Sequence, residues 1–231
     1  MAKYEHIFFD LDHTLWDFER NSSEVLCDLY SEYSFDANGL FSLNDFLTTF
    51  QKINYTLWDK YNKKLIDKCE LRETRFNIVL KKLGMTDEEI PLEIGERYLE
   101  LCPQKPHVMP FAFDILNYLK DKYKLHIITN GFEDVQFIKL QSSRLFDYFD
   151  IIMTSDRAGC QKPDAKIFNE ALSSTSASPD SSVMIGDNPD TDIAGAISAK
   201  IDAVHYNPSA LNSPHRATYE IACLSELRSI L

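Results

Sequence analysis

Four short apolar runs, each followed at once by polar residues, constrain the fold of this chain more than any other feature. Runs of this kind, separated by helical patterns, are typical of the buried strands of a parallel sheet. The predicted strands, including a fifth near the C-terminus, cover residues 7–9, 124–129, 150–154, 182–186 and 201–206. Predicted helices alternate with them near 111–122, 133–143, 164–175 and 190–199. This alternation predicts an α/β fold with a doubly wound parallel sheet.

The alternation is interrupted directly after the first strand. Residues 18–101 have helical apolar spacing throughout, and Ser42 is placed to begin one of the helices. The proline-rich segment 102–110 follows as a linker. We therefore predict an α/β core domain formed by residues 1–16 and 106–231, with an all-helical domain, residues 17–105, inserted into it.

Composition narrows the range of partners. The net charge is −12 and the pI is near 4.9, which disfavours nucleic acids and anionic membranes as partners. An anionic substrate would need a bound divalent cation and a well-placed lysine. The five cysteines are scattered without a C-x-x-C pair, as expected of reduced thiols in the cytoplasm. We see no signal peptide and no membrane-spanning run, so we expect a cytoplasmic protein; its oligomeric state, monomer or dimer, stays open.

The strongest motif is Asp10-Leu11-Asp12 at the end of the first strand. Residues two apart on an extended chain point the same way, so both carboxylates face one place. Two such charges are costly together unless a cation joins them or one is protonated. With Mg²⁺ bound, one aspartate could attack phosphorus while the other transfers a proton. An isolated D-x-D would more often be a helix cap and a solvated acid; three further motifs favour the catalytic interpretation.

Two of these motifs suit phosphate binding. Thr129, Asn130 and Gly131 end the second core strand and offer a hydroxyl, an amide and backbone N–H groups. Lys162, held in a loop by the proline that follows it, could neutralise a phosphoryl group during transfer. Alone, the first would be an ordinary turn and the second a surface lysine.

The last motif places three acids within six residues after the fourth strand. Magnesium takes oxygen ligands and keeps several waters beside one or two carboxylates. We expect Asp187, nearest the strand, to bind the metal directly. We expect Asp192 to lie outside the direct ligands and to support them, and Asp190 to cap the following helix.

Together these four motifs resemble the haloacid dehalogenase (HAD) superfamily of phosphohydrolases. The resemblance covers the whole core and implies a Rossmann-like sheet, a Mg²⁺ cofactor and an aspartyl-phosphate intermediate on Asp10. It further implies that Asp12 is the general acid/base. The metal would be held by Asp10, the main-chain carbonyl of Asp12, and Asp187. The insertion resembles the helical cap of the superfamily's first cap class.

Segments 127–132, 141–148 and 162–168, with the ending at 225–227, are similar to the YjjG-like pyrimidine nucleotidases. This implies a 5′-nucleotidase acting on pyrimidine nucleoside monophosphates. Because a cap reads the leaving group, aromatic and arginine side chains at the hinge and in the insertion are candidates for substrate contact. These candidates are Trp16, Phe18, Trp58, Tyr61, Arg72, Arg75 and Phe76. Residues at such spacings are more often core or solvated.

Other functions remain open at this stage. A sugar-phosphate phosphatase or a phosphomutase would use the same four motifs. A haloacid dehalogenase needs neither Asp12 nor an acid cluster at Asp187. A receiver-like signalling domain, the non-enzyme alternative, lacks the large insertion and the second acid.

Overall fold

The computed structural model describes residues 3–37 and 39–231 and contains a six-stranded parallel sheet. Its strands are β1 (His6–Phe9), β2 (Lys124–Thr129), β3 (Ile151–Thr154), β4 (Ser182–Gly186), β5 (Asp202–Tyr206) and β6 (Tyr219–Ile221). They lie in the order β3-β2-β1-β4-β5-β6, and each neighbouring pair is parallel. The chain thus winds outward in two directions from β1, which confirms the predicted α/β, Rossmann-like fold class.

Helices lie between the strands of this sheet along the chain and make up the insertion after β1. Those following the first strand are α1 (Phe18–Glu32), α2 (Leu43–Asn62), α3 (Lys68–Lys82) and α4 (Ile94–Leu101). Those between and after the later strands are α5 (Ala112–Leu119), α6 (Glu133–Ser142), α7 (Ser155–Ala158), α8 (Ala165–Thr175) and α9 (Ala194–Ser198). Among the described residues, no helix has the length and hydropathy needed to cross a membrane.

The chain divides into two compact units. One comprises the chain up to Phe18 together with Pro106–Leu231, and the other is Glu19–Lys105. The second unit is helical, with no strand in its described part, 19–37 and 39–105. Ser42 begins α2 with a capping box, because its hydroxyl accepts the Asp45 N–H while the Asp45 carboxylate accepts the Ser42 N–H.

The register of the central strands decides where the polar residues meet. Phe9, the last residue of β1, is level with Ile127 on β2 and Ile185 on β4. These three strands therefore end at the same edge of the sheet, and the residues that follow them share that edge. The apolar side chains behind the edge are fully buried, as expected of strands covered on both faces.

Two elements near the C-terminus differ from the prediction. Strand β6 was not predicted, because its three residues lie at the sheet's edge and are mostly not buried, so they form no apolar run. The helix predicted over 190–199 is a π-helical turn, Pro189–Ile193, followed by the short α9. The prediction that Asp190 caps it was wrong. Asn188 does so, because its side-chain oxygen accepts the N–H groups of Asp190 and Thr191.

Candidate active site

Asp10 lies where the winding of the sheet reverses, between β1 and β4. Its backbone N–H donates to the carbonyl of Ile185 at 2.9 Å, so it continues the ladder one residue beyond β1. Asp187 follows Gly186, the last residue of β4. In open α/β sheets this switch point is where ligands bind. The strand order alone therefore brings together carboxylates that are 177 positions apart in sequence.

The ammonium group of Lys162 is held at the centre of this edge. Its Nζ lies 2.5 Å from Asp10 Oδ1, 2.7 Å from Asp192 Oδ1 and 2.8 Å from the carbonyl oxygen of Ile128. The lysine is 1% exposed. Three acceptors match its three N–H donors, so Lys162 is a fixed positive charge between two acids.

Asn130 fixes the loop that carries this lysine. The Lys162 N–H donates to Asn130 Oδ1 at 2.7 Å, and Asn130 Nδ2 donates back to the Lys162 carbonyl at 3.0 Å. The neighbouring Thr129 hydroxyl accepts the N–H of Gly131 at 3.0 Å. The predicted phosphate-binding residues thus lie beside Lys162, while their contact with phosphate stays a prediction.

Three carboxylates form a cluster at this edge. Asp10, Asp187 and Asp192 each offer an oxygen, and these oxygens lie within 4.8 Å of one another. Asp192 also accepts the Asn188 N–H through Oδ2 at 3.1 Å. One lysine does not balance three acids, and an oxygen-only donor set is what a hard divalent cation takes. The residues present therefore fit a Mg²⁺ ion.

Thr14 links two members of the cluster and was missed in the sequence. Its hydroxyl lies 3.2 Å from Asp187 Oδ1 and 3.4 Å from Asp10 Oδ2, and it accepts the Asp187 N–H at 3.1 Å. The signal available was a threonine four positions after Asp10. It could equally have been an ordinary turn residue.

Two acids of the cluster, Asp10 and Asp187, hold protons more tightly than usual. Burial, and then the charges of Asp192 and Asp187, raise the pKa of Asp10 to about 8, although Lys162 opposes this. Burial and the Asp192 charge raise the pKa of Asp187 to about 7. Burial alone would lower the pKa of Lys162, but Asp10 and Asp192 raise it above its ordinary value. A site with excess negative charge of this kind favours binding of a cation.

Asp12 has a different environment from Asp10. Lys139 Nζ lies 2.6 Å from Asp12 Oδ1, and Gln136 Nε2 donates to Asp12 Oδ2 at 3.0 Å. Burial would raise the pKa of Asp12, but Lys139 and the Gln136 hydrogen bond together lower it. Sequence reasoning missed both partners, although they are three apart and share one face of α6. The two aspartates of the motif are therefore held by different lysines.

The predicted substrate residues are spread over both units. In the sheet unit Trp16 is fully buried, and its ring centre lies 4.4 Å from Lys139 Nζ; Phe18 is half-buried. In the helical unit Tyr61, Arg75 and Phe76 are buried. Trp58 and Arg72 are half-buried, and the rings of Trp58 and Tyr61 meet edge-on. Contact between any of these residues and a substrate stays a prediction.

Known proteins resemble the chain over nearly its whole length. The family model for haloacid dehalogenase-like hydrolases matches residues 4–200. The pyrimidine 5′-nucleotidase YjjG of Escherichia coli is 31% identical over 99% of this chain and 98% of its own. The pyrimidine 5′-nucleotidase PynA of Streptococcus pneumoniae is 32% identical over 99% and 95%. The structure of the putative HAD-hydrolase YfnB from Bacillus subtilis, bound to magnesium, is similar with a TM-score of 0.88 at 29% identity, covering 100% of this chain and 99% of that one.

Proposed function

Because this chain belongs to the haloacid dehalogenase-like hydrolase family, we propose that it is a Mg²⁺-dependent phosphatase acting on nucleoside monophosphates through an aspartyl-phosphate intermediate. The observation that carries the proposal is the arrangement of Asp10 between Lys162 and the acids that follow β4. A carboxylate held beside a fixed cation and a metal-ligand set is placed to attack a phosphoryl group.

The chain's own residues divide the reaction between them. Asp10 Oδ attacks phosphorus, and the bond between phosphorus and the leaving oxygen breaks with its electron pair on that oxygen. Asp12, whose lowered pKa keeps it ionised in the free protein, takes up the acidic proton of the phosphate monoanion and passes it to that oxygen. In the second half Asp12 takes a proton from water as the water oxygen attacks phosphorus, and the bond to Asp10 breaks. Lys162 offsets the negative charge of the transferring group throughout.

We assign Asp10 and Asp187 as side-chain ligands of the metal and Asp12 as a main-chain ligand. Asp192 would act from outside the ligand set, because Lys162 and the Asn188 N–H already occupy its carboxylate. A bound Mg²⁺ supplies charge stabilisation for the phosphoryl oxygens. Thr129 and Gly131 would add a hydroxyl and an N–H donor for the same oxygens.

Full-length similarity to two pyrimidine 5′-nucleotidases supports pyrimidine nucleoside monophosphates as the substrate class. We propose that residues 17–105 act as a cap that reads the nucleoside. The core motifs serve any phosphomonoester, so the choice of leaving group has to come from outside them.

The test is phosphate release from a panel of nucleoside monophosphates and sugar phosphates, with and without Mg²⁺. Preference for pyrimidine monophosphates would support the proposal. A flat profile or preference for sugar phosphates would overturn the substrate class while keeping the phosphatase. Accumulation of a sugar bisphosphate would indicate a mutase, and one stable phosphorylation without turnover a signalling domain.

A further inference from the structure

Both oxygens of the Asp12 carboxylate are held by side chains from one helix. Lys139 Nζ lies 2.6 Å from Oδ1, and Gln136 Nε2 donates to Oδ2 at 3.0 Å. The two residues are three apart on α6, more than 120 positions after Asp12, and thus about one helical turn from each other. The carboxylate therefore has one defined plane and direction.

The ammonium group of Lys139 is buried, and its neighbours hold it against Asp12. The side chain is 5% exposed, and burying an ammonium group is costly unless it is paired. Asp12 is the carboxylate that pairs with it, while the ring centres of Trp16 and Phe18 lie 4.4 Å and 5.8 Å from Nζ. The aromatic rings stabilise the cation without competing for its hydrogen bonds. The ammonium group is therefore held in place against Oδ1.

The Gln136 side chain is also buried, and it passes close to Gly131. It is 1% exposed, and a Cβ at Gly131 would overlap its amide group. The glycine after Asn130 is therefore needed so that the Gln136 side chain can pass and reach Asp12. This role differs from the phosphate contact predicted for Gly131 and does not depend on it.

We propose that Lys139 and Gln136 are positioning residues that aim Asp12 at the leaving oxygen of the substrate. Lys139 anchors Oδ1 through a short, charge-assisted bond. Gln136 engages Oδ2 through a longer, neutral bond, and a carboxylate oxygen retains a second lone pair that can carry the proton. Oδ2 is then the atom that takes up the acidic proton of the substrate's phosphate monoanion and passes it to the leaving oxygen as the bond to phosphorus breaks. The inference rests on the proposed function.

The test compares two substrates that differ in their need for a proton. The leaving group of a nucleoside monophosphate is an alkoxide, which needs a proton from Asp12. The leaving group of p-nitrophenyl phosphate is a phenolate that is stable without one. Because kcat/KM reports only steps up to formation of the phospho-enzyme, it isolates this transfer. We expect Lys139→Met and Gln136→Met to lower kcat/KM about 100-fold for the nucleotide and less than about tenfold for p-nitrophenyl phosphate. A merely structural defect would lower both equally, and that result would overturn the inference.

A double-mutant cycle with Asp12→Ala provides a second, independent readout. Once Asp12 is absent there is nothing to position, so adding Lys139→Met should change kcat/KM less than about threefold. A full additive loss would overturn the inference. Lys82→Met removes an exposed lysine at the end of α3 and serves as the matched control. Should Lys139→Met fail to fold, Gln136→Met carries both comparisons. Absence of phosphate release by the wild-type protein would instead overturn the proposed function.

Discussion

The carboxylate of Asp192 occupies the space in which a side chain at Gly186 would have to stand. A Cβ built at Gly186 overlaps the Asp192 carboxylate group. Gly186 is not among the residues with positive φ, so space and not backbone conformation requires a glycine here. The same Asp192 is the second acid paired with Lys162. The last residue of β4 therefore determines whether Lys162 keeps both of its acidic partners.

Gly186→Ala should disrupt this arrangement. The added methyl group would push Asp192 away from Lys162, and overpacking of a buried site costs about 1–3 kcal/mol of unfolding free energy. We expect kcat/KM for phosphate release to fall at least about tenfold. Gly95→Ala in α4 is the control, since its Cβ would meet only ordinary contacts at 3.8 Å and 3.9 Å. Equal behaviour of the two variants, measured by kinetics and denaturant unfolding, would refute the spatial argument.

Asp10→Asn should remove turnover while preserving the fold. The amide is nearly isosteric with the carboxylate but cannot form the aspartyl phosphate. Its neutrality also relieves the repulsion among the three acids. We expect phosphate release to fall at least about 10⁴-fold with no loss of thermal stability. The exposed Asp147→Asn is the matched control. Near-normal turnover by Asp10→Asn would exclude Asp10 as the nucleophile.

The parts of the fold that could be predicted from the sequence are those with strong local patterns. The core strands carry unbroken apolar runs because both faces are covered, and the acids that follow them are visible as motifs. The order of winding then explains why Asp10 and Asp187 meet. Strand β6 was missed because an edge strand of three residues needs no such run.

The contacts that escaped prediction depend on tertiary structure. Lys139 and Gln136 reach Asp12 from a helix more than 120 positions later, and nothing local marks them. Thr14 was overlooked because its two acidic partners follow different strands, β1 and β4. Similarly, Asn188 takes the cap predicted for Asp190 because the π-helical turn starts at Pro189, one residue earlier than the predicted helix.

Magnesium binding should release protons at mildly acidic pH. The raised pKa values of Asp10, about 8, and Asp187, about 7, mean that the metal-free folded protein binds more protons than the unfolded chain between about pH 4 and pH 8. The contribution of these two carboxyl groups to the stability of the metal-free protein therefore falls as the pH rises through this range. A cation must displace those protons, so its affinity should rise from pH 6 to pH 8.5.

Isothermal titration calorimetry in two buffers with different ionisation enthalpies measures this release. We expect about one proton or more per Mg²⁺ at pH 6 and a value near zero above pH 9. The same proton count at both pH values would contradict the raised pKa values. Asp10→Asn, which removes one of the two groups, should release fewer protons than the wild-type protein at pH 6.

Two substitutions of Arg75 can distinguish a role in core packing from a role in substrate recognition. Its guanidinium lies 4.7 Å, 5.4 Å and 5.7 Å from the ring centres of Tyr98, Phe50 and Phe76. Its Nη1 donates to Asn54 at 3.0 Å. We expect Arg75→Ala to lower the unfolding free energy by about 2–4 kcal/mol through the lost packing. Arg75→Met, which refills the volume without a buried charge, should stay within about 1 kcal/mol of the wild type.

The substrate profile of these two variants tests the predicted role of Arg75. If the guanidinium reads the nucleoside, both variants should change the ranking of the nucleotide panel while retaining general phosphatase activity. Arg75→Met is the more informative of the two, because it is the better folded. An unchanged ranking in that variant would remove Arg75 from the substrate residues and leave it as a core residue.

A stacked pair of buried histidines at the start of the central strands should make the fold sensitive to acid. His6 Nδ1 lies 3.0 Å from His126 Nε2, and the ring centres are 5.3 Å apart. Burial, then the His6 charge and Lys124, lower the pKa of His126 to about 4 from 6.5; burial lowers that of His6 as well. Between these pH values the unfolded chain binds the extra proton, so the contribution of the histidine pair to stability falls as the pH drops from about 6.5 to 4.

The size of this effect follows from the shift, since 1.36 kcal/mol per pH unit gives up to about 3 kcal/mol for His126. Denaturant unfolding at pH 7.5, 6, 5 and 4 would measure it. His126→Phe should be less stable than the wild type at pH 7.5, because His6 loses its partner. It should nevertheless lose less stability on acidification, since one of the two proton-binding sites of the unfolded chain is gone. Parallel curves for the two proteins would show that the acid sensitivity arises elsewhere.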